Sequence, residues 1–154
     1  MNLNFKEGFP AVVVRPSIVY GPGQSDKMFL PLLASRIKSN LSINMTLGEQ
    51  FRDFIYISDV INILLRLSLN QRLGVGEIFN ISYGKSYSIK NVATKFANIL
   101  KPNGEDLLNI GAIKYRNKEV MNYFVSNEKA KNLLNWYPQV NLDTGLRNMN
   151  KSYD

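Results

Sequence analysis

Short apolar runs alternate along the chain with longer segments of helical spacing. Residues 11–14, Ala-Val-Val-Val, form a continuous β-branched run, which predicts a strand buried on both faces of a parallel sheet. Pro16 and the Gly-Pro-Gly of 21–23 then predict an irregular loop. Further short strand patterns occur at 43–45, 54–57, 77–82 and 112–115.

Two segments in the first half of the chain have the apolar spacing of amphipathic helices. Residues 29–37 form the first, and Pro31 is compatible with its first turn. Ser58 or Asp59 is a good N-cap for the second. The inward face of that helix is expected to comprise Ile61, Leu64, Leu65 and Ser68.

Three more helices are predicted in the second half. Ser88 can cap the first of them, which ends before the Pro-Asn-Gly of 102–104. The other two cover 127–135 and 142–150. Because strands alternate with helices along the whole chain, the sequence predicts an α/β fold.

Composition narrows the possible chemistry. The chain has 154 residues, of which 45% are hydrophobic and 20% charged, as expected for one folded domain. Neither a signal peptide nor an apolar run of membrane-spanning length is recognisable, so a cytoplasmic protein without membrane partners is expected. Cysteine and histidine are both absent. We therefore expect no disulfide and no metal site, and any catalysis would depend on Tyr, Lys, Asp, Glu or Ser.

The formal net charge is +7, but the basic residues are scattered rather than clustered on one element. A nucleic-acid-binding surface normally concentrates Lys and Arg with aromatic residues between them. Most of the excess charge is therefore expected to be solvated surface. An anionic small-molecule ligand would account for a few of the arginines, and a nucleic-acid partner is the least favoured explanation.

Three segments carry a resemblance to a known family. Residues 15–24 (RPSIVYGPGQ), 48–60 (GEQFRDFIYISDV) and 116–136 resemble segments of the extended short-chain dehydrogenase/reductase family of sugar-nucleotide epimerases, dehydratases and reductases. In that family all of them lie in the second half of the protein. The resemblance implies a C-terminal substrate-binding lobe, residues 28–154, preceded by a remnant of the Rossmann-type NAD(P)-binding domain, residues 1–27. Most of the Rossmann domain would be missing.

The resemblance also implies a substrate site. Arg52 corresponds to an arginine that grips the nucleotide diphosphate, Arg116 to a second clamp on it, and Glu119 to an acidic residue that accepts hydrogen bonds from the ribose. A planar guanidinium suits this role because it offers paired donors to phosphate oxygens and stays charged. The alternatives are a local salt bridge of Arg52 with Asp53 or Asp59, and a surface Arg116–Glu119 pair.

Five further residues fall at ligand-contacting positions of the family. Met28, Phe29 and Met45 correspond to residues that pack around the nucleotide base, although all three suit a hydrophobic core equally well. Pro16 and Ser17 follow the first strand, where the family's main chain lies beside the nicotinamide of NAD or NADP.

Two departures from the family pattern stand out. Ile18 replaces an asparagine that contacts the sugar nucleotide in many epimerases and dehydratases, which leaves room for a keto-reductase. Ser126 replaces a usual aspartate, an exchange that preserves helix capping.

Chemistry essential to the family is absent from the sequence. No tyrosine has a lysine four residues later, and no glycine-rich turn is available to seat a dinucleotide pyrophosphate. We therefore expect the substrate-binding portion of an NAD(P)-dependent nucleoside-diphosphate-sugar epimerase, dehydratase or reductase. Alone it is expected to be inactive and not to bind the cofactor.

Alternative functions and partners remain open at this stage. A non-catalytic module that binds nucleotide sugars, or that pairs with a separate N-terminal Rossmann polypeptide, is one alternative, and a basic nucleic-acid binder is another. Strands at 12–14 and 78–81 correspond to the cofactor domain's sheet. Without their neighbours they would present unpaired edges, so self-association is expected, and a homo-oligomer is an open possibility.

Overall fold

Parallel pairing organises the strands of the computed structural model, which describes residues 10–70 and 72–153. Three small sheets are formed, with strand orders β1–β5, β2–β4–β6 and β3–β7, and only the β4–β6 pair is antiparallel. The strands are β1 Val13–Pro16, β2 Ile18–Tyr20, β3 Ile43–Met45, β4 Phe51–Tyr56, β5 Ile78–Ile81, β6 Ser86–Ser88 and β7 Leu108–Ile110.

The helices connect these strands and cover them. They are α1 Phe29–Lys38, α2 Ile57–Leu69, α3 Ile89–Leu100, α4 Glu128–Leu134 and α5 Leu142–Asn150. Two short 3₁₀ segments, Gly104–Leu107 and Lys151–Tyr153, follow α3 and α5. Among the described residues, no helix is both long enough and apolar enough to cross a bilayer.

Strand β4 is shared by two hydrophobic cores. Phe54 and Tyr56 belong to the larger core, which also includes side chains of α1, α3 and α5. Ile55 belongs to the second core, together with side chains of α2, α4 and β5. Successive side chains of a strand point to opposite faces, so alternate residues of β4 enter different cores. The strand that carries Arg52 is therefore held from both sides.

The first strand is placed and buried differently from expectation. It runs over Val13–Pro16 rather than 11–14, and Val13 is exposed. Burial on both faces was therefore wrong. The parallel arrangement itself was right, because β1 pairs parallel with β5 in the register Val13↔Ile78. Within the described residues β5 is its one strand neighbour, so one edge of β1 has no strand beside it.

The start and the inward face of α2 were also wrong. The helix begins at Ile57 after Tyr56, so neither Ser58 nor Asp59 is its N-cap. The predicted inward residues Leu64 and Leu65 are 47% and 56% exposed. Ile61 and Ser68 are exposed as well, whereas the buried apolar side chains are Val60 and Ile63. Apolar residues surround most of this helix, so periodicity did not specify which face packs on β4.

The predictions for the remaining helices are confirmed, whereas the prediction of one strand is wrong. Ser88 caps α3 by accepting a hydrogen bond from the Asn91 backbone N–H, and the last two helices lie at the predicted places. The strand predicted at 112–115 was wrong, since those residues form a bend and irregular chain. The strand lies earlier, at β7, where Leu108 pairs with Ile43.

Candidate functional site

Arg52 lies on β4 and is fixed by several contacts at once. Its Nη1 donates to the backbone oxygens of Phe51 at 2.8 Å and Val120 at 2.7 Å. Its Nη2 donates to Oε1 of Glu119 at 2.5 Å. The arginine side chain is only 15% exposed. Arg52 thus makes an ion pair, but with Glu119 rather than with either aspartate considered from the sequence.

Arg116 meets the same carboxylate from the other side. Its Nε lies 3.3 Å from Oε2 of Glu119, so each carboxylate oxygen faces a different guanidinium. The Arg116 side chain is 88% exposed, whereas that of Glu119 is 10% exposed. Two arginines 64 positions apart in the sequence therefore converge on one acidic group. Two positive charges against one negative charge leave the cluster with a net charge of +1, which favours a further anion.

The backbone of the 119–123 segment is tied to β4, and this tie brings the two arginines together. Phe51 donates its N–H to the oxygen of Met121 at 2.7 Å and accepts from Tyr123 N–H at 3.2 Å. Before this segment a turn closes with a hydrogen bond from Glu119 N–H to the oxygen of Arg116. Lys118 in that turn has a φ of 62°. The backbone pairing thus brings Arg52 and Arg116 to the same carboxylate, and their expected role toward a diphosphate stays a prediction.

The two residues expected beside the nicotinamide lie at the end of β1. Pro16 is exposed, and Ser17 is buried. Ser17 donates its N–H to the oxygen of Ile81 and its Oγ hydrogen to Asp53. Both polar donors of Ser17 are therefore used inside the chain. These contacts occupy the N–H and the hydroxyl of Ser17 only, so the expected contact of this main chain with NAD or NADP stays a prediction.

The three residues expected near a nucleotide base separate into different environments. Met28 is exposed and precedes α1, while Phe29 is partly buried in the first turn of that helix. Both line a small cavity of about 30 Å³ beside Tyr20 and Phe54. Met45 is buried in the larger core on β3. Met45 thus packs as a core residue and Phe29 packs partly against the same core, whereas Met28 is exposed.

The buried Asp53 lies next to Arg52 on β4, and the sequence suggested it only as a salt-bridge partner for that arginine. Asp53 accepts hydrogen bonds from Ser17 and from the backbone N–H groups of Tyr83 and Gly84. Burial raises the pKa of Asp53 above its usual value, and these hydrogen bonds offset part of the shift. The signal that could have found Asp53 is its position inside an apolar strand, where an unpaired carboxylate would be costly.

A larger groove of about 750 Å³ lies between α3 and α5. Its basic residues include Lys90, Lys95 and Arg147, and Lys95 pairs with Asp143 at 2.7 Å. Neither Arg52 nor Arg116 lines it. The candidate site is therefore identified by the two arginines that contact one carboxylate, and not by the volume of a cavity. Among the described residues, no cluster of carboxylates suited to a metal ion occurs.

The fold is a parallel α/β fold of the Rossmann type, and comparison with known proteins defines the family. The NAD dependent epimerase/dehydratase family matches residues 2–82, more than half of the 154 residues. The chain belongs to this NAD-dependent epimerase/dehydratase family.

Individual relatives and structures agree with this assignment. CDP-abequose synthase of Salmonella typhimurium is 29% identical over 91% of this chain, which corresponds to 47% of the synthase. The UDP-glucose 4-epimerase of Thermotoga maritima, solved with UDP-glucose, superposes with a TM-score of 0.85 at 25% identity, covering 97% of this chain and 48% of the epimerase. A dTDP-glucose 4,6-dehydratase of Bacillus anthracis, solved with NAD, has a TM-score of 0.84 at 22% identity and the same 97% coverage, against 46% of its own chain. The chain thus spans about half the length of the proteins it matches.

Proposed function

We propose that this chain binds the diphosphate of a nucleoside-diphosphate sugar between Arg52 and Arg116. The observation that carries the proposal is the convergence of both guanidinium groups on the single carboxylate of Glu119. A site that already holds one anion between two arginines has the charge and the spacing to hold another. The family membership of the chain and the UDP-glucose bound to the Thermotoga maritima epimerase support the same ligand class.

The arginine N–H groups that make no hydrogen bond within the protein are available to phosphate. Both hydrogens of Arg52 Nη1 point to backbone oxygens, which fixes the plane of its guanidinium. Its Nε and the second hydrogen of Nη2 are not used by the contacts described above. Arg116 is mostly exposed and uses Nε toward Glu119, so its terminal nitrogens can turn toward a ligand. One rigid arginine and one mobile arginine would then grip the two linked phosphates.

The complete reaction requires more than this chain provides. We propose that the whole enzyme oxidises or reduces a hexose carbon on the activated sugar with NAD or NADP, as an epimerase, dehydratase or keto-reductase. In this scheme residues 28–154 form the sugar-nucleotide lobe, and residues 1–27 contribute to the cofactor domain. A Rossmann-type half, either as a further part of the same protein or as a separate polypeptide, would supply the cofactor site and the proton-transferring tyrosine. The free edge of β1 is a place where the next strand of such a partner could pair.

Calorimetric titration with UDP, dTDP, CDP and GDP tests the binding proposal directly. We expect at least one of them to bind. We expect Arg116→Ala to raise the dissociation constant of that nucleotide about tenfold or more, because a charge-assisted hydrogen bond is lost. Arg116 is exposed, so its replacement should leave the fold intact. Lys114→Ala is the matched control, since it removes one exposed positive charge nearby. Equal effects of the two substitutions, or no binding of any nucleotide, would contradict the proposal.

Mixing experiments separate a split enzyme from a non-catalytic module. A Rossmann-type polypeptide from the same genome is added to the chain with NAD or NADP and the nucleotide sugar that binds best. Hydride transfer, measured by the absorbance of the reduced nicotinamide, only in the mixture would support the split-enzyme proposal. Nucleotide-sugar binding without any gain of hydride transfer would favour the non-catalytic module. Binding to DNA or RNA that falls steeply with salt would instead favour the nucleic-acid function.

A further inference from the structure

We infer that Glu119 is an internal anion that competes with the ligand for the two arginines, so that the diphosphate reaches all of their donors only when it displaces the carboxylate. This inference rests on the proposed function, because it concerns the same pair of guanidinium groups. It adds a role for Glu119 that opposes binding in the ligand-free chain. The role is distinct from accepting hydrogen bonds from a ribose, which the family resemblance implies.

The geometry of the carboxylate carries the inference. Oε1 of Glu119 accepts from Arg52 and Oε2 faces Arg116, so the two oxygens are divided between the two arginines. A diphosphate held between the same groups would divide its oxygens in the same way. Glu119 is 10% exposed, which means that protein rather than water surrounds most of this carboxylate. The carboxylate and an incoming anion therefore cannot both have the full set of arginine donors.

The orientation of Arg52 does not depend on Glu119. Two backbone oxygens, of Phe51 and Val120, accept hydrogen bonds from Nη1, and neither contact involves the Glu119 carboxylate. The backbone beyond Glu119 is also fixed independently, through the hydrogen bonds between Phe51 and residues Met121 and Tyr123. Displacement thus requires the Glu119 side chain to rotate while the strand and the segment stay in place. Removing the charge of Glu119 should free the donors without disordering the clamp.

The size of the effect follows from the equilibrium between the closed pair and the open arginines. When the binding-competent state is a minor one, the apparent dissociation constant is raised by the reciprocal of its population. Partly exposed ion pairs are worth up to about 1 kcal/mol, and every 1.4 kcal/mol is tenfold in affinity. We therefore expect Glu119→Gln to tighten anion binding about two- to fivefold. A glutamine of the same length keeps an oxygen acceptor for Arg52 but lacks the charge.

Inorganic pyrophosphate is the probe that isolates this effect, because it carries no ribose and no base. Titration of the wild-type chain, Glu119→Gln and Glu77→Gln is the central comparison. Glu77 pairs with Lys129 at 2.6 Å on an exposed surface, so its substitution makes the same change in net charge elsewhere. We expect tighter pyrophosphate binding for Glu119→Gln alone. The gain should be lost when Arg116→Ala is combined with Glu119→Gln.

Folding is measured on the same samples by urea unfolding. Competition predicts opposite changes for Glu119→Gln, namely a gain in pyrophosphate affinity together with a loss in the free energy of unfolding. A purely structural role for Glu119 predicts a loss of both. Should the glutamine variant not fold, Glu119→Asp serves instead. It retains the charge but is one methylene shorter and cannot span both arginines, so a smaller gain is expected.

The possible results distinguish this inference from the proposed function. Wild-type binding of pyrophosphate and UDP with no gain in either Glu119 variant would overturn the inference and leave the diphosphate site standing. Absence of binding in the wild type and in every folded variant would overturn both. Binding that appears only after Glu119→Gln would support both, with Glu119 as a strong competitor.

Discussion

Ser17 donates a hydrogen bond of 3.0 Å from its hydroxyl to Oδ1 of the buried Asp53. This bond joins the junction of β1 and β2 to the middle of β4. The same carboxylate accepts the N–H groups of Tyr83 and Gly84, each at 2.9 Å, from the turn after β5. The Asp53 side chain therefore connects β4, directly beside Arg52, with two segments that are distant in sequence.

Asp53→Asn is expected to destabilise the fold in a pH-dependent way. The amide would turn a donor toward backbone N–H groups, and one unsatisfied buried group costs about 1–3 kcal/mol. Burial raises the folded-state pKa of Asp53. The folded chain then binds the proton more tightly than the unfolded chain, so the contribution of Asp53 is full below about pH 4 and declines as pH rises through the folded pKa.

Urea unfolding of wild type and Asp53→Asn between pH 4 and pH 7 measures this contribution as a difference between the two proteins. We expect the difference in the free energy of unfolding between wild type and Asp53→Asn to decrease as pH rises. Other titrating groups cancel in the difference because both proteins carry them. A gap that widens with pH would show that the hydrogen bonds to Asp53, rather than its burial, dominate its pKa.

Asp59→Ala is expected to loosen the segment that leads into α5. The two carboxylate oxygens of Asp59 accept the N–H groups of Gln139 and Val140, each at 3.0 Å. Each N–H group left without an acceptor costs about 1–3 kcal/mol if it stays buried. Limited proteolysis should therefore cleave first near these residues, and the free energy of unfolding should fall. Asp106→Ala, at an exposed carboxylate, is the control and should change neither quantity.

Gly145→Ala is expected to disrupt the larger core. A Cβ at this position would lie 2.0 Å from the hydroxyl oxygen of Tyr20, whose side chain is buried. Overpacking of this kind costs about 1–3 kcal/mol, even though alanine is the better helix former. Tyr20→Phe removes the clashing oxygen and should recover part of the loss in the double variant. Thermal melts of the single and double variants measure this, with Thr144→Ala on the exposed side of α5 as the control.

The exposed apolar face of α2 is expected to drive self-association of the chain. Leu64 and Leu65 are exposed there, and Leu64 lines a groove together with Val14 of β1. An exposed apolar patch near a strand with an open edge favours pairing between chains. Leu65→Glu should shift sedimentation velocity profiles toward the monomer. Leu133→Glu, at a comparably exposed leucine on α4, should shift them less. A wild-type chain that sediments as a single monomeric species at all concentrations would contradict this prediction.

The sequence pattern predicted the fold class and most helices because their apolar spacing and caps are local properties. Ser88 and its helix illustrate this, since the cap needs only the N–H of Asn91. The position of β7 was not predictable from the local pattern. Residues 112–115 have a comparable strand propensity, and β7 is selected by pairing with β3, far away in the chain. The inward face of α2 was mispredicted for a similar reason, because it depends on which side of the helix packs on β4 and not on the local pattern.

The candidate site was predictable in its members but not in its arrangement. The resemblance identified Arg52, Arg116 and Glu119 from short motifs. That Glu119 would lie between the arginines depends on the backbone pairing of Phe51 with Met121, which no motif records. Ser17 has a contact that the resemblance did not predict, because its hydroxyl donates to a buried aspartate. Its role toward NAD or NADP stays a prediction.

Parallel pairing between distant strands has a consequence for biosynthesis. Val13 of β1 finds its partner only when Ile78 has left the ribosome, and Ile43 must wait for Leu108. Non-local pairings of this kind slow folding and leave strands unsatisfied in the meantime. Translation that stops shortly after Tyr56 would yield a nascent chain whose first three strands lack most of their partners, which makes such products natural substrates for chaperones and proteases.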